Sequence, residues 1–380
     1  MIYLDNAATS FPKPEAVYQA LDRFARTSLA NPGRAGHKMA LAAENELDQG
    51  RHLLNQLFHG EAPERFIFTL NCTDALNIAI KGTIQVGDHV ITTVLEHNSV
   101  SRPLNALQKA GTITLTRIHC DQGGTIDPAA IRAAITPRTR LLALTHASNV
   151  LGTIQPITEV GRIAREHDLL FLVDAAQTAG VIPIDVRTQQ IDLLAFPGHK
   201  GLFGPTGTGC LYLGPRAKLQ PWREGGTGGD SSSETQPREL PYFLEGGTPN
   251  VLGVAGLNAG IQFVHAHGME KIHHHETALI DRLLQRLDEL SGFRVLGHRN
   301  MALRVGTLSF VHESMTAYDI GSMLDTSFDI AIRPGLHCAP YIHRQLGTWP
   351  DGAVRVSPGP FNTEADIDIL TRALQEITAL

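Results

Sequence analysis

Two short apolar runs, LLALT at residues 141–145 and LLFLV at residues 169–173, constrain the fold more than any other part of the sequence. Their apolar residues are consecutive, whereas a strand with one face in water alternates apolar and polar residues. Helices therefore have to cover both faces of these strands. Helical patterns and β-rich runs alternate from Glu15 to Asn250, which predicts an α/β fold with a mostly parallel central sheet.

The length of 380 residues predicts two lobes, because one hydrophobic core rarely organises so long a chain. We expect a large α/β domain at residues 15–255 and a small α+β domain at residues 1–14 and 256–380. A Gly-, Ser- and Pro-rich segment at 215–250 predicts a surface loop, expected to be mobile. The predicted helices span residues 42–57, 74–81, 100–110, 128–134, 157–167, 251–267, 272–290 and 363–380. The runs FRVLG, RVGTLSFV and DIAIRP predict three short strands before the last helix.

Charge and composition exclude several classes of function. The net charge of −6 gives no general positive field for a nucleic acid backbone. The N-terminus lacks a basic region followed by an apolar stretch, and no window approaches 18 uninterrupted apolar residues, so neither secretion nor a membrane span is predicted. The four cysteines are far apart and form no zinc or disulfide spacing, which favours a reducing cytoplasm.

Two polar residues follow predicted strands, where a parallel sheet binds its ligands. Lys200 comes after the run DLLAFPG, and a partly desolvated lysine can form a Schiff base. Asp174 ends the run LLFLVD, and a buried carboxylate needs a cation such as the pyridinium nitrogen of pyridoxal phosphate. The alternatives for Lys200 are an ordinary surface lysine or part of a nucleotide-binding glycine loop. The alternative for Asp174 is a cap of the next helix. GPTGTG fits neither glycine-rich nucleotide template.

Four further side chains are candidates for the same site. Thr73 opens a predicted helix, where N–H groups bind phosphate, although an ordinary helix cap explains it too. His97 follows a strand and could stack on a flat ring or make a structural hydrogen bond. Cys338 is near Arg333 in sequence, and positive charge favours a reactive thiolate. Arg355 suits a substrate carboxylate, with a surface ion pair as the alternative.

A series of short motifs resembles, in order and spacing, the class V aminotransferase-like pyridoxal phosphate enzymes. The most similar branch is that of the cysteine desulfurases and selenocysteine lyases with a short R-x-G-x-H-C-A segment. The motifs, spread over essentially the whole chain, are YLDNAAT, NPGR, GH, LNCTDALN, LEHNS, SNVLGTIQPI, VDAAQTAG, FPGHKGLFGPTGTG, EGGTPN, RPGLHCAP and RVSPGPFNTEADID.

The resemblance implies fold type I, pyridoxal 5'-phosphate as cofactor and an active site at a homodimer interface. It implies that Lys200 holds the cofactor as a Schiff base. Asp174 then pairs with the ring nitrogen, Gln177 with the ring oxygen, and His97 stacks on the ring.

The resemblance also assigns the phosphate and the substrate. Phosphate contacts are implied for Thr73 and His199, for the segment that contains Cys72, and for Thr248 reaching from the neighbouring subunit. Asn149 and Arg355 are implied to contact the substrate and the cofactor, and Arg333 is a further candidate for the substrate. Cys338 matches the nucleophile that accepts sulfur.

Three residues depart from the family pattern. Pro197 stands where a serine is usual, so one phosphate hydroxyl is missing. Cys72 replaces a common threonine in the phosphate segment, and Leu336 stands where a second histidine is frequent. These changes predict a distinct subfamily.

The predicted activity is removal of sulfur from L-cysteine, giving L-alanine and a persulfide on Cys338, with a sulfur-acceptor protein as the expected partner. A selenocysteine lyase or related C–S lyase is the alternative, and a transaminase is a weaker one because it has no need of this cysteine. A histidine-rich metal protein is the alternative from another class. Its histidines are His265, His267, His273, His274 and His275, of which the last three, consecutive on a helix, cannot all face one ion.

Overall fold

Thirteen strands and eleven helices are found in the computed structural model, which describes residues 1–33, 36–228 and 232–379. The strands are β1 (Ile2–Tyr3), β2 (Phe66–Thr69), β3 (Asp88–Thr93), β4 (Ile113–Ile118), β5 (Thr139–Thr145), β6 (Leu170–Asp174), β7 (Leu193–Pro197), β8 (Gly209–Leu213), β9 (Phe293–Leu296), β10 (Leu308–His312), β11 (Ile330–Ala331), β12 (Arg333–Gly335) and β13 (Ala353–Val356). The helices are α1 (Glu15–Thr27), α2 (Lys38–Phe58), α3 (Cys72–Thr83), α4 (Asn98–Lys109), α5 (Pro128–Ala133), α6 (Ile157–Glu166), α7 (Val251–His267), α8 (Met269–Asp288), α9 (Ala317–Phe328), α10 (Pro340–Gln345) and α11 (Glu364–Thr378).

The central sheet has seven strands in the order β2-β8-β7-β6-β5-β3-β4. Neighbouring strands are parallel from β7 to β4, and β8 is antiparallel to both β7 and β2. The prediction of a mostly parallel sheet is therefore confirmed. In the register of β6 and β7, Asp174 lies beside Ala195, so both strands deliver the residues that follow them to one edge of the sheet.

Alternate residues of β5 and β6 pack into separate cores on the two faces of the sheet. Leu142 and Phe171 belong to one buried cluster, whereas Leu141 and Leu172 belong to another. Both faces are covered, as the consecutive apolar residues of these strands require.

The C-terminal part of the chain forms a second, antiparallel sheet in the order β12-β13-β10-β9. The chain's first residues join this part, because β1 pairs in parallel with β11. The division at residue 255 stays a prediction, although these pairings agree with placing residues 1–14 in the smaller lobe.

Helix α9 is a clear omission of the sequence prediction, which also gave neither α1 nor α10 and treated β11 and β12 as one strand. The α9 sequence contains Gly321, a residue that weakens an isolated helix. A Cβ at Gly321 would lie 2.9 Å from the Pro334 ring, so tertiary packing requires the glycine that local propensity disfavours.

The predicted loop at 215–250 contains no helix or strand among its described residues; residues 229–231 lie outside them, as does Arg34 of the NPGR motif. Mobility of this loop stays a prediction. Within the described parts of the chain, no helix is long and apolar enough to cross a membrane.

A buried ion pair fastens the end of this loop to the outer strand β2. Arg51 and Glu245 form two parallel hydrogen bonds of 2.9 Å, and both side chains are largely buried. Glu245 Oε1 also accepts the backbone N–H of Phe68 at 2.6 Å. Breaking such a pair leaves a buried charge without a partner, which costs far more than losing an exposed pair.

We expect Glu245→Ala to lower the free energy of unfolding by roughly 3 kcal/mol, measured by guanidinium titration. The control is Asp22→Ala, which removes the exposed pair with Arg26 and should cost less than about 1 kcal/mol. Equal effects of the two substitutions would show that the buried pair contributes no more than a surface one.

Candidate active site

A pocket of about 200 Å³ lies at the carboxyl ends of β6 and β7 and brings together ten of the twelve predicted site residues. Two of the twelve, Cys338 and Thr248, are not part of its wall. The ten are Cys72, Thr73, His97, Asn149, Asp174, Gln177, His199, Lys200, Arg333 and Arg355.

The Lys200 amine has no hydrogen-bond partner among the described residues. Burial, together with the nearby Arg355 guanidinium, lowers its pKa to about 8, whereas the Asp174 carboxylate opposes the shift. A substantial fraction of the amine is therefore neutral near physiological pH, which is the form that attacks a carbonyl carbon.

The glycines around Lys200 serve backbone packing. A Cβ at Gly201 would lie 2.6 Å from the Ala179 carbonyl oxygen, and one at Gly198 would lie 2.2 Å from Thr208 Oγ1. Each glycine therefore allows a close approach of backbone or side-chain atoms from another part of the protein.

Asp174 is buried at the end of β6. Its Oδ1 accepts the backbone N–H of Ala176 at 2.9 Å and lies 3.7 Å from Cys72 Sγ. Oδ2 has no hydrogen-bond donor among the described residues. Burial raises the pKa of the carboxyl, while Ala176 and Lys200 oppose that rise. A cation placed in the pocket would therefore be stabilised by Asp174.

The start of α3 presents backbone N–H groups to the pocket. The cap is Asn71, whose Oδ1 accepts from the Asp74 N–H at 2.9 Å, so the capping alternative for Thr73 is wrong. Thr73 Oγ1 instead lies 2.8 Å from Ser99 Oγ. Hydroxyls beside an open helix N-terminus form an anion site.

His97 caps α4, and its ring also lines the pocket. Its Nδ1 accepts from the Ser99 N–H at 3.1 Å and lies 2.9 Å from Ser99 Oγ. Burial and the charge on Lys200 lower the pKa of His97 to about 4, so the ring is neutral at pH 7. His97 therefore makes a structural hydrogen bond and also lines the pocket.

The N-terminal segment closes one side of the pocket through residues 7–10. Thr9 Oγ1 lies 3.1 Å from His199 Nδ1, and Gln177 Nε2 donates to the Ala7 carbonyl at 3.2 Å. Burial lowers the pKa of His199 to about 4. Both predicted cofactor ligands are thus held by the chain's first residues.

Arg355 is buried and bonded on two sides. Its Nη2 donates to Asp5 Oδ1 at 2.6 Å and its Nη1 donates to the Asn149 carbonyl at 3.1 Å, while the buried Nε has no partner within the described structure. The surface-pair alternative is wrong, because only 2% of the Arg355 side chain is exposed.

Cys338 lies at the edge of the pocket, in the turn before α10. Its Sγ is 4.0 Å from Arg333 Nη2, and its carbonyl accepts the Asn98 N–H at 2.7 Å. The preceding residue is fixed too, since Asn149 Nδ2 donates to the His337 carbonyl at 2.7 Å. These two backbone bonds hold the Cys338 thiol next to the guanidinium of Arg333, which lines the pocket.

Thr248 lines a different cavity, of about 650 Å³, which Arg51 and Glu245 also line. One chain alone therefore does not bring Thr248 to Lys200.

Two of the three histidines of α8 lie within hydrogen-bond distance of backbone carbonyls. His273 Nε2 lies 2.8 Å from Arg304 O, and His275 Nε2 lies 2.9 Å from Asn362 O. Over the described ranges, no group of three or more His, Cys, Asp or Glu side chains is arranged to hold a metal ion.

Three contributors to this site escaped the sequence reasoning. Asp5 pairs with Arg355, Ala7 lines the pocket and bonds Gln177, and Ser99 links His97 to Thr73. All three residues lie in the motifs YLDNAAT and LEHNS, which the sequence analysis recognised. The motifs alone do not show which residue each of the three contacts.

The pocket electrostatics predict how Lys200 titrates. In the cofactor-free protein, competitive acetylation should label Lys200 with a midpoint near pH 8. Asp174→Asn removes a negative charge and should move the midpoint lower, whereas Arg355→Gln removes a positive charge and should move it higher. Shifts of the opposite sign would contradict the assigned electrostatics.

Comparison with known proteins places the chain in a family. Residues 2–370 match the family model described as Aminotransferase class-V. Two relatives are named probable cysteine desulfurase: one from Halalkalibacterium halodurans, 36% identical over 99% of this chain and 93% of its own length, and one from Methanothermobacter thermautotrophicus, 34% identical over 100% and 95%. The apo structure of a cysteine desulfurase from Thermococcus onnurineus is 32% identical, with a TM-score of 0.94 over 100% of this chain and 95% of its own.

These similarities extend over nearly the full length of this chain and of each relative. They confirm the predicted resemblance and fold class. The chain therefore belongs to the class V aminotransferase family, within its cysteine desulfurase branch.

Proposed function

We propose that the chain is a pyridoxal-phosphate-dependent cysteine desulfurase that converts L-cysteine to L-alanine and keeps the sulfur as a persulfide on Cys338. One observation carries the proposal: the partly buried amine of Lys200, which has no hydrogen-bond partner among the described residues, shares a pocket with a buried carboxyl and two arginines, and a thiol lies next to one of these arginines.

The residues fit the cofactor. The unpartnered Asp174 Oδ2 suits a protonated ring nitrogen, and the start of α3 with Thr73 suits the phosphate. Gln177 and the neutral His97 line the same pocket, which supports their proposed contacts with the ring oxygen and the ring face. Pyridoxal phosphate, when bound, supplies an electron sink for charge that develops at the substrate Cα.

The protein's own groups account for substrate binding and proton transfer. Arg355 lines the pocket and keeps N–H donors beyond its bonds to Asp5 and Asn149, so it is our candidate for binding the substrate carboxylate. Lys200, with its pKa near 8, is suited to remove the Cα proton and to return a proton on the way to alanine.

Cys338 is the best candidate for sulfur acceptance among the four cysteines. Burial raises the pKa of Cys120 to about 11 and raises those of Cys72 and Cys210 well above the usual range, so these three stay protonated. Cys338 instead has a guanidinium beside its sulfur. Its thiolate would attack the substrate sulfur; the carbon–sulfur bond breaks, its electron pair stays with the substrate carbon, and a new S–S bond forms.

The proposal includes a homodimer in which Thr248 of one subunit reaches the phosphate bound by the other. Thr248 lies outside the pocket of its own chain, which this arrangement explains. We further propose a cytoplasmic enzyme, since all four cysteines are free, with a sulfur-acceptor protein as partner.

Intact-mass analysis after incubation with L-cysteine tests the assignment of Cys338. The holoenzyme should gain one sulfur atom while alanine appears. Cys338→Ala should keep the cofactor absorption and lose both products, and Lys200→Ala should lose the absorption as well. Cys120→Ala is the control and should behave as the unaltered protein.

A persulfide formed at full yield without Cys338 would refute its role. Alanine released from selenocysteine but not from cysteine would favour the selenocysteine lyase, and a keto acid with pyridoxamine phosphate would favour a transaminase.

Thr248 provides a test of the shared site. We expect Thr248→Ala to weaken pyridoxal phosphate binding by about tenfold, the equivalent of one hydrogen bond to a charged group. Thr235→Ala, in the same loop but outside the cavity that Thr248 lines, is the control. Unchanged affinity in a protein that remains dimeric by light scattering would argue against the contact across subunits.

A further inference from the structure

Cys72 is a buried thiol that donates a hydrogen bond to the carboxyl of Asp174. Its Sγ lies 3.7 Å from Asp174 Oδ1, and only 3% of Asp174 is exposed. Burial and the Asp174 charge raise the pKa of Cys72 well above its usual range, so the sulfur carries a proton that it can donate. The sequence had placed Cys72 with the phosphate ligands; its side chain contacts the carboxyl instead.

We propose that Cys72 is a positioning residue that fixes Asp174, turning its free oxygen toward the cofactor ring nitrogen. The inference rests on the proposed function and extends it to a residue in which this chain departs from its family.

The geometry explains the effect. Asp174 Oδ1 is held by two donors, the Ala176 N–H and the Cys72 S–H, one from its own turn and one from the first residue of α3. A carboxyl rotates easily about its last torsion unless neighbours fix it. With Oδ1 held from two directions, Oδ2 is left facing the pocket.

The same contact favours the charged carboxylate. Burial alone raises the pKa of Asp174, and the hydrogen bond from Cys72 lowers it. Loss of the thiol would make the carboxyl easier to protonate and free to turn, and a neutral carboxyl stabilises a pyridinium nitrogen less well.

Cofactor affinity provides a readout that does not depend on turnover. We expect Cys72→Ala to raise the Kd for pyridoxal 5'-phosphate about fivefold, the equivalent of one net hydrogen bond. Cys72→Ser should restore the affinity, because a hydroxyl is a stronger donor than a thiol and can reach the same oxygen. Cys210→Ala is the matched control: it removes an equally buried thiol that does not contact Asp174, and the Kd should not change.

A second probe isolates the ring nitrogen. In the carbocyclic analogue of pyridoxal phosphate, C–H replaces that nitrogen, so Asp174 has no cation to hold. Cys72→Ala should then leave the affinity unchanged, whereas a general distortion of the pocket would weaken both ligands equally.

The outcomes separate this inference from the proposed function. If the unaltered protein binds pyridoxal phosphate and forms the persulfide, but Cys72→Ala matches it in Kd or loses affinity for both ligands alike, the positioning role is refuted and the function stands. If the unaltered protein does not bind pyridoxal phosphate, the proposed function fails as well.

Discussion

The buried pair of Asp5 and Arg355 is the interaction on which the site most depends. It joins the N-terminal segment to strand β13 of the small sheet, and the second nitrogen of Arg355 bonds Asn149 in a loop after central strand β5. Three distant parts of the chain thus meet at one guanidinium. Burying the arginine is costly without such partners, so their arrangement is fixed together with the pocket wall.

Burial also prepares the chemistry on the other side of the pocket. Moving charged groups out of water shifts Lys200 toward its neutral form and Asp174 toward its protonated form. Each charge reduces the pKa shift of the other group, because the Lys200 ammonium and the Asp174 carboxylate attract each other. The result is an amine that is reactive near neutral pH beside a carboxyl that a cationic ring would keep ionised.

Local patterns in the sequence predicted the sheet and several pocket residues, and the family resemblance implied the others. Consecutive apolar residues identified β5 and β6, and polar residues after strands identified Asp174 and Lys200. What the sequence could not predict depends on tertiary contacts. Helix α9 contains Gly321, which packs on Pro334, and Gly201 beside Lys200 faces the Ala179 carbonyl. The role of Asp5 requires Arg355. Cys72 was recognised as unusual, but only its contact with Asp174 indicates what the sulfur does.

The N-terminal segment has a consequence for the order in which the enzyme is made. Residues 5–10 are synthesised long before residues 355–357, so Asp5 has to wait for Arg355, and Ala7 for the hydroxyl of Ser357, before their contacts can form. A nascent chain that has already folded its central sheet still lacks one wall of the pocket. The pocket wall that captures the cofactor is therefore complete only after Arg355 and Ser357 have been synthesised.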